Sequence, residues 1–149
     1  MYHSAEDQQE LLANWRWLLG GLPRLLGWSS SGDLFVAQPS GVVHRLDTAF
    51  GALDPVAETV ADFERALEDP ELVWDMCLVP VVRQFEDEHG PLLEHECLGF
   101  TTLPILGGSY AVDNRYRIAI GEHAAFTGNL HAQLRDVPDG AKVRLRIDP

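Results

Sequence analysis

Leu103-Pro104-Ile105-Leu106-Gly107-Gly108-Ser109-Tyr110 is the stretch on which the reading of this chain turns. A double glycine after an apolar tetrad, followed by Asp113-Asn114, predicts a wide turn whose backbone needs positive φ or a close approach. On its upstream side Glu96-Cys97-Leu98-Gly99-Phe100 reads as a short strand. On its downstream side Arg115 to Ile120 alternates, with Tyr116, Ile118 and Ile120 opposed to Arg115, Arg117 and Ala119. That pattern predicts a strand buried on its Tyr/Ile face, with its arginines on the other. Glu122 to Arg135 follows as an amphipathic helix through Phe126, Leu130 and Leu134. Pro138-Asp139-Gly140 is a turn signal, and Asn114 with Gly107, Gly108, Pro138 and Gly140 are the expected turn residues. Val143, Leu145 and Ile147 then alternate with Lys142, Arg144 and Arg146 in a last strand. If both strands share a sheet, their basic face either engages acidic helices or meets solvent.

Working back to the N-terminus, Ser4-Ala-Glu-Asp7 has the form of a helix cap with first-turn acids, and Leu11, Leu12, Trp15, Leu18 and Leu19 recur at helical spacing. A helix is expected from about Ala5 to Leu19, stopped by Gly20-Gly21, with Trp17 covering a secondary cluster or serving as an aromatic anchor. Arg24–Trp28, Asp33–Ala37 and Val42–Asp47 are β-prone runs separated by Ser29-Ser30-Ser31-Gly32 and Gln38-Pro39-Ser40-Gly41, which predicts a three-stranded antiparallel meander. Leu34 and Val36 face one side and Phe35 the other, so both faces need cover. Phe50 to Pro55 reads as a turn or a brief edge segment. Thr59 caps a helix with Asp62 three residues on and Val60, Phe63, Ala66 and Leu67 as its stripe. Pro70 starts another helix, carrying Leu72, Val73 and Met76. Pro80 kinks that segment or starts a new helix, which Gly90-Pro91 ends.

Three of these stretches together resemble a known family. Gly32 to Leu53 (GDLFVAQPSGVVHRLDTAFGAL), CLGF…LPILGGSY…DN between Cys97 and Asn114, and His131 to Val143 (HAQLRDVPDGAKV) resemble, in that order, the C-terminal domain of type VI secretion immunity proteins. The resemblance runs from about Leu22 to Ile147. It implies a small cytoplasmic binding protein that blocks a co-produced toxin, in the best-known cases a DNase. Longer members of that family carry an additional N-terminal domain, whereas here one short helix precedes the resemblance. The expected organisation is an N-terminal helix over residues 1–21 joined to an immunity-protein-like α+β domain over residues 22–149.

Composition bounds the rest. A chain of 149 residues with 46% hydrophobic content suits one domain with a substantial core, and two would be cramped. No apolar run approaches the length of a membrane helix, and Met1 to Asp7 lacks the basic region of a signal peptide, so the expected compartment is the cytoplasm. There Cys77 and Cys97 are expected as buried thiols. The net charge of −12 is unevenly spread. Residues 54–96 hold thirteen acids against two bases, while residues 1–53 carry −2 and residues 97–149 carry +1. Such a field argues against nucleic-acid binding and favours a basic partner, whose association it would speed in a salt-dependent way.

Catalytic patterns are weak by comparison. His89, Glu94-His95-Glu96-Cys97 and His123 invite a metal reading, but neither Cys-x-x-Cys nor His-x-x-x-His spacing is present, and a surface cluster explains them better. His44, between apolar neighbours in a strand, reads as a structural histidine. Ser29-Ser30-Ser31-Gly32 lacks the nucleophile elbow, and no glycine-rich phosphate loop with a following lysine occurs. The expectation is a single α+β domain, a mainly antiparallel sheet flanked by helices. Its expected function is non-enzymatic immunity against a secreted antibacterial toxin, without cofactor or metal. The expected contact surface is acidic: Asp62, Glu68, Asp69, Glu86, Asp87 and Glu88. A regulatory interaction domain with a non-toxin partner is the alternative, and a metal-assisted hydrolase stands third.

Overall fold

Five short strands pair antiparallel in chain order in the computed structural model, which describes residues 1–21, 23–138 and 140. They are β1 (Tyr2–Ser4), β2 (Arg24–Ser29), β3 (Leu34–Ala37), β4 (Val43–Asp47) and β5 (Ala52–Ala57). A second sheet is the hairpin of β6 (Glu96–Phe100) and β7 (Arg115–Ala119), with Phe100 opposite Arg115 and Glu96 opposite Ala119. The helices are α1 (Arg16–Leu19), entered through a 3-10 helix at Gln9–Trp15, then α2 (Val60–Ala66), α3 (Pro70–Met76), α4 (Val79–His89) and α5 (Ile120–Leu134). This is the expected α+β architecture.

Both faces of the first sheet are covered, as the alternation in β3 requires. Leu34, Val36 and Leu46 pack with Leu11, Leu12, Trp15, Ile120 and Ala124, placing the N-terminal segment and α5 on one side. Phe35 and Val43 pack with Phe63, and with partly buried Val60, Leu67 and Met76, placing α2 and α3 on the other. Trp15, Phe35 and Phe63 are among the largest fully buried side chains. Each contributes about 1.5–3 kcal/mol relative to an exposed position. Gly128 lets α5 approach closely, since a Cβ there would stand 2.6 Å from the Asn14 carbonyl oxygen.

Several expectations are corrected. Residues 2–4 form a strand on β2 instead of a helix cap, because Tyr2 finds edge contacts with Phe35 and Phe63 at 5.7 and 5.6 Å. The helical segment therefore starts at Gln9, as a 3-10 turn without a side-chain cap. The meander gains β1 and β5, so it has five strands in place of three. Trp17 is not corrected: of its two expected places it takes the covered one, half-buried against the core and donating from Nε1 to the Gly128 carbonyl. The β7 faces are the largest departure. Arg115 is buried and Tyr116 is exposed, because Arg115 packs its guanidinium 3.8 Å over the Phe100 ring and donates from Nε and Nη2 to carbonyls. The strand expected over residues 142–147, and Asp139, lie outside the described residues.

Gly107 has φ +96°, and a Cβ on Gly108 would drive into the Thr102 carbonyl. The Asn114 side chain ties this turn down, accepting from Thr102 N and donating to the carbonyls of Thr102 and Ser109. Gly140 sits at φ +78°, the conformation a Pro-Asp-Gly turn asks for. Pro138 beside it is exposed.

Candidate partner-binding surface

The acidic segment folds into the helical layer of α2, α3 and α4. Its ends are set locally. The Thr59 hydroxyl accepts from Asp62 N at 3.0 Å, the Asp69 carboxylate accepts from Glu71 N at 3.0 Å, and Pro70 takes the first position of α3. Leu78, in the left-handed region at φ 49°, breaks the chain direction before α4. Pro80 thus starts a helix, without kinking one, and α4 ends at Gly90 with φ +90°.

The six acids singled out in sequence share this layer but divide by task. Asp62 is ion-paired with Arg65, Asp69 caps α3, and Glu86 accepts from Leu92 N at 2.8 Å, pinning the chain that leaves α4. Glu88 accepts from Gln84 and lies 3.9 Å from His89 Nε2. The side chains of Glu68 and Asp87 have no hydrogen bond or ion pair among the described residues and are exposed. The layer's basic counterpart comes from the hairpin. Arg117 donates to the carbonyls of His89, Gly90 and Pro91, and its NH1 lies 3.4 Å from Glu96. A cation on the last carbonyls of α4 stabilises that helix end. The basic β7 face thus meets an acidic helix at Arg117, while Arg115 turns inward.

The second chemically dense region is interior. At the Ser29–Asp33 turn, Ser29 and Ser31 share a hydrogen bond at 2.8 Å, and the Ser31 carbonyl accepts from Arg115 at 2.6 Å. Arg115 also reaches the carbonyls of Gly99 and Leu98, while Leu98 N donates to the Ser30 carbonyl; these bonds join the hairpin to the first sheet. Burial lowers the Arg115 pKa to about 10, which leaves it charged at neutral pH. His123 Nε2 donates to the Gly32 carbonyl at 3.0 Å, which also accepts from the Thr48 hydroxyl. His131 Nε2 donates to the Thr48 carbonyl at 2.8 Å. Because both carbonyls only accept, Nε2 is the protonated nitrogen in each ring. Burial lowers the His123 pKa to about 4 and also lowers that of His131. Asp33 moves the other way. Burial, reinforced by Asp47, raises it to about 7 against the pull of Arg45, whose Nε lies 4.0 Å away.

This interior carries perturbed titrating groups, a usual sign of chemistry, but most of its donors go to main-chain carbonyls; Arg115 Nη1 and Arg45 Nε are buried without a hydrogen-bond partner. It is a joint between sheets and α5. The residues of the metal reading are scattered. His123 is in this joint, Cys97 is buried and free, His95 is exposed at φ 65° beside Glu94, and His89 packs on Phe85. No three His, Cys, Asp or Glu side chains converge as metal ligands among the described residues. Cys77 is likewise a buried free thiol. No described helix is long and apolar enough to cross a membrane.

Sequence reasoning missed one feature of the acidic layer. Trp74 and Leu72 are 42% and 49% exposed on α3, which has no buried residue. The apolar spacing marked α3 as a helix, but nothing local showed that its apolar side chains stay uncovered.

The fold and its surface define a small α+β protein with a hydrogen-bonded polar joint in its interior and an acidic, solvent-facing helical layer. Residues 57–131 match the family described as "T6SS immunity protein Tdi1, C-terminal", and the chain belongs to that family. The match takes in α2 to β7 and most of α5. It includes the Cys97–Asn114 motif, follows the Gly32–Leu53 motif, and ends where the His131–Val143 motif begins. Among solved structures, the chain is similar to Atu4351 from Agrobacterium tumefaciens, with a TM-score of 0.58 and 14% identity over 85% of this chain. That likeness concerns the fold alone. The chain spans 66% of that protein, just under two thirds. No curated protein matches.

Proposed function

We propose that this chain is a non-enzymatic immunity protein that binds a cognate secreted antibacterial toxin in the cytoplasm and neutralises it one-to-one. The observation that carries the reading is that the family match, residues 57–131, contains the whole acidic layer of α2 to α4. The proposed contact surface is this layer, with Asp62, Glu68, Asp69, Glu86, Asp87 and Glu88 supplying its field. Among the described residues the side chains of Glu68 and Asp87 hold no partner, so a basic partner can take them without breaking a described bond. A nuclease is the toxin class best matched to it. Its groove is basic because its substrate is a polyanion, and an acidic protein surface can be steered there and occlude it.

The test uses the toxin encoded beside the gene. Co-expression should restore growth of a toxin-poisoned bacterium, and titration of the toxin's activity should end at one equivalent of this chain. Neutralisation at far less than one equivalent would mean turnover and defeat the non-enzymatic reading. Failure to protect, with folded protein, would favour a regulatory partner that is not a toxin.

A further inference from the structure

The acidic layer contains an apolar centre that the fold does not use. Helix α3 is held by half-buried Val73 and Met76, yet it turns Leu72 and Trp74 outward. A shallow groove of about 450 Å³ runs beside Trp74, lined by Pro70, Glu71, Trp74 and Asp75. Residues 68–75 contain Glu68, Asp69, Glu71 and Asp75 and no base. The Arg83 guanidinium lies 4.9 Å from the Trp74 ring centroid, so the ring already serves as a platform for a cation. The Asp69 cap and Pro70 fix the helix start, so little ordering remains to be done on binding.

A large aromatic, half exposed, with Arg83 against its ring and carboxylates on the helix around it, is the arrangement expected at the centre of a protein interface. We propose that the outward face of α3, centred on Trp74 and Leu72, is the docking site for the toxin. The matching surface is an apolar patch flanked by lysines or arginines, one of which stacks on the Trp74 ring. Charge selects this occupant. A second copy of this chain would bring another −12 against the same acids, whereas a basic surface is attracted to them. A second exposed apolar group, Phe50 with Ile105, Leu106 and Tyr110, borders Asp47, whose carboxylate is already engaged by the backbone amides of Ala49 and Phe50; the Phe50 and Tyr110 rings lie tilted with centroids 6.5 Å apart, and nothing in the structure shows what covers them.

The inference rests on the immunity reading for the identity of the partner, and its test separates the two. The probe is the toxin encoded beside the gene, inactivated at its catalytic residue, titrated against wild type, Trp74→Ala, Leu72→Ala and the hairpin control Tyr116→Ala. Trp74→Ala should weaken binding by about 30-fold or more, Leu72→Ala by roughly 5-fold, and Tyr116→Ala by less than about 2-fold. Melting temperatures should stay near wild type, because α3 buries no side chain. If the toxin binds wild type and both α3 variants within 2-fold, the docking site is elsewhere and immunity stands. If the toxin does not bind wild type, the immunity reading and this site fall together. A wild-type dimer in sedimentation that Trp74→Ala splits would assign the patch to self-association and overturn the proposal.

Discussion

The interior joint around Arg115 and His123 and the acidic layer of α2 to α4 are both rich in charge, and they use it in opposite ways. In the joint, Arg115 alone reaches three carbonyls, on Ser31, Leu98 and Gly99, and every bond is internal. In the layer, Glu68 and Asp87 have no side-chain partner among the described residues, and Trp74 is 42% exposed. Strongly shifted pKa values mark the joint, where burial is largely compensated by hydrogen bonds to main-chain carbonyls, with Arg115 Nη1 and Arg45 Nε left over. A site search guided only by perturbed titration would choose the joint and pass over the surface proposed for the partner.

The largest effect is expected where that interior bonding is cut. Arg115→Ala removes a buried guanidinium and strands three buried carbonyls, so it should cost about 3–5 kcal/mol in urea unfolding. An effect below about 1 kcal/mol would mean that water replaces the guanidinium and that the joint is not structural.

The joint should also carry two pH terms of opposite sign. His123 is held near 4 in the folded chain against about 6.5 unfolded, so the unfolded state takes the proton first, and stability is lost as pH falls from about 6.5 to 4. Asp33 is held near 7 against about 3.8, so the folded state takes its proton first, and stability is gained as pH falls through nearly the same window. Each term is of the order of 3–4 kcal/mol, and they nearly cancel. Wild type should therefore be almost flat from pH 7 to 4 in these two contributions. Asp33→Asn should become steeply acid-sensitive, and His123→Gln should gain stability on acidification. Parallel pH profiles for the two variants would show that the groups do not titrate as placed.

Smaller effects belong to the corner. Gly108→Val meets the Thr102 backbone and should cost more than Gly107→Val, which meets only the strain of φ +96°; both should fall at about 1–3 kcal/mol in thermal unfolding. Equal melting of wild type and both variants would show that the turn rearranges freely.

These contrasts also mark what could be read from residue order. The turns, the Thr59 cap, the Pro70 and Pro80 helix starts and the Gly90 stop were legible, because each depends on residues within a few positions. The faces of β3 were legible because alternation is local. Arg115 was not. Its inward turn depends on a carbonyl at Ser31, 84 positions away, and no strand pattern announces an acceptor. Tyr2–Ser4 was missed because three residues are too few to show a period, and the strand exists through the distant Phe35 and Phe63. In the acidic layer the charges were visible, but not which were employed. Thr59 hinted at the capping of α2, yet the bond from Leu92 to Glu86 and the uncovered Trp74 are tertiary facts.

That division of labour sets the smallest stability effect and decides how the acidic layer should be probed. Replacing Glu86, Asp87 and Glu88 together by Lys would mix two effects, since Glu86 also holds Leu92 N. Glu68→Lys with Asp87→Lys changes the field by four charges without touching a side-chain bond among the described residues, so unfolding stability should move by no more than about 0.5 kcal/mol. Association with a basic toxin should slow at low salt, and the deficit should shrink as salt is raised, because exposed charges act over roughly 10 Å at 0.1 M ionic strength. Stopped-flow rates at two ionic strengths read this directly. A stability loss near that of Arg115→Ala would place these acids in the structural class and erase the contrast between the regions. Unchanged, salt-independent association rates in a normally folded variant would leave the contrast intact but remove electrostatic steering from the layer's role, and any toxin contact there would then rest on the apolar centre at Trp74.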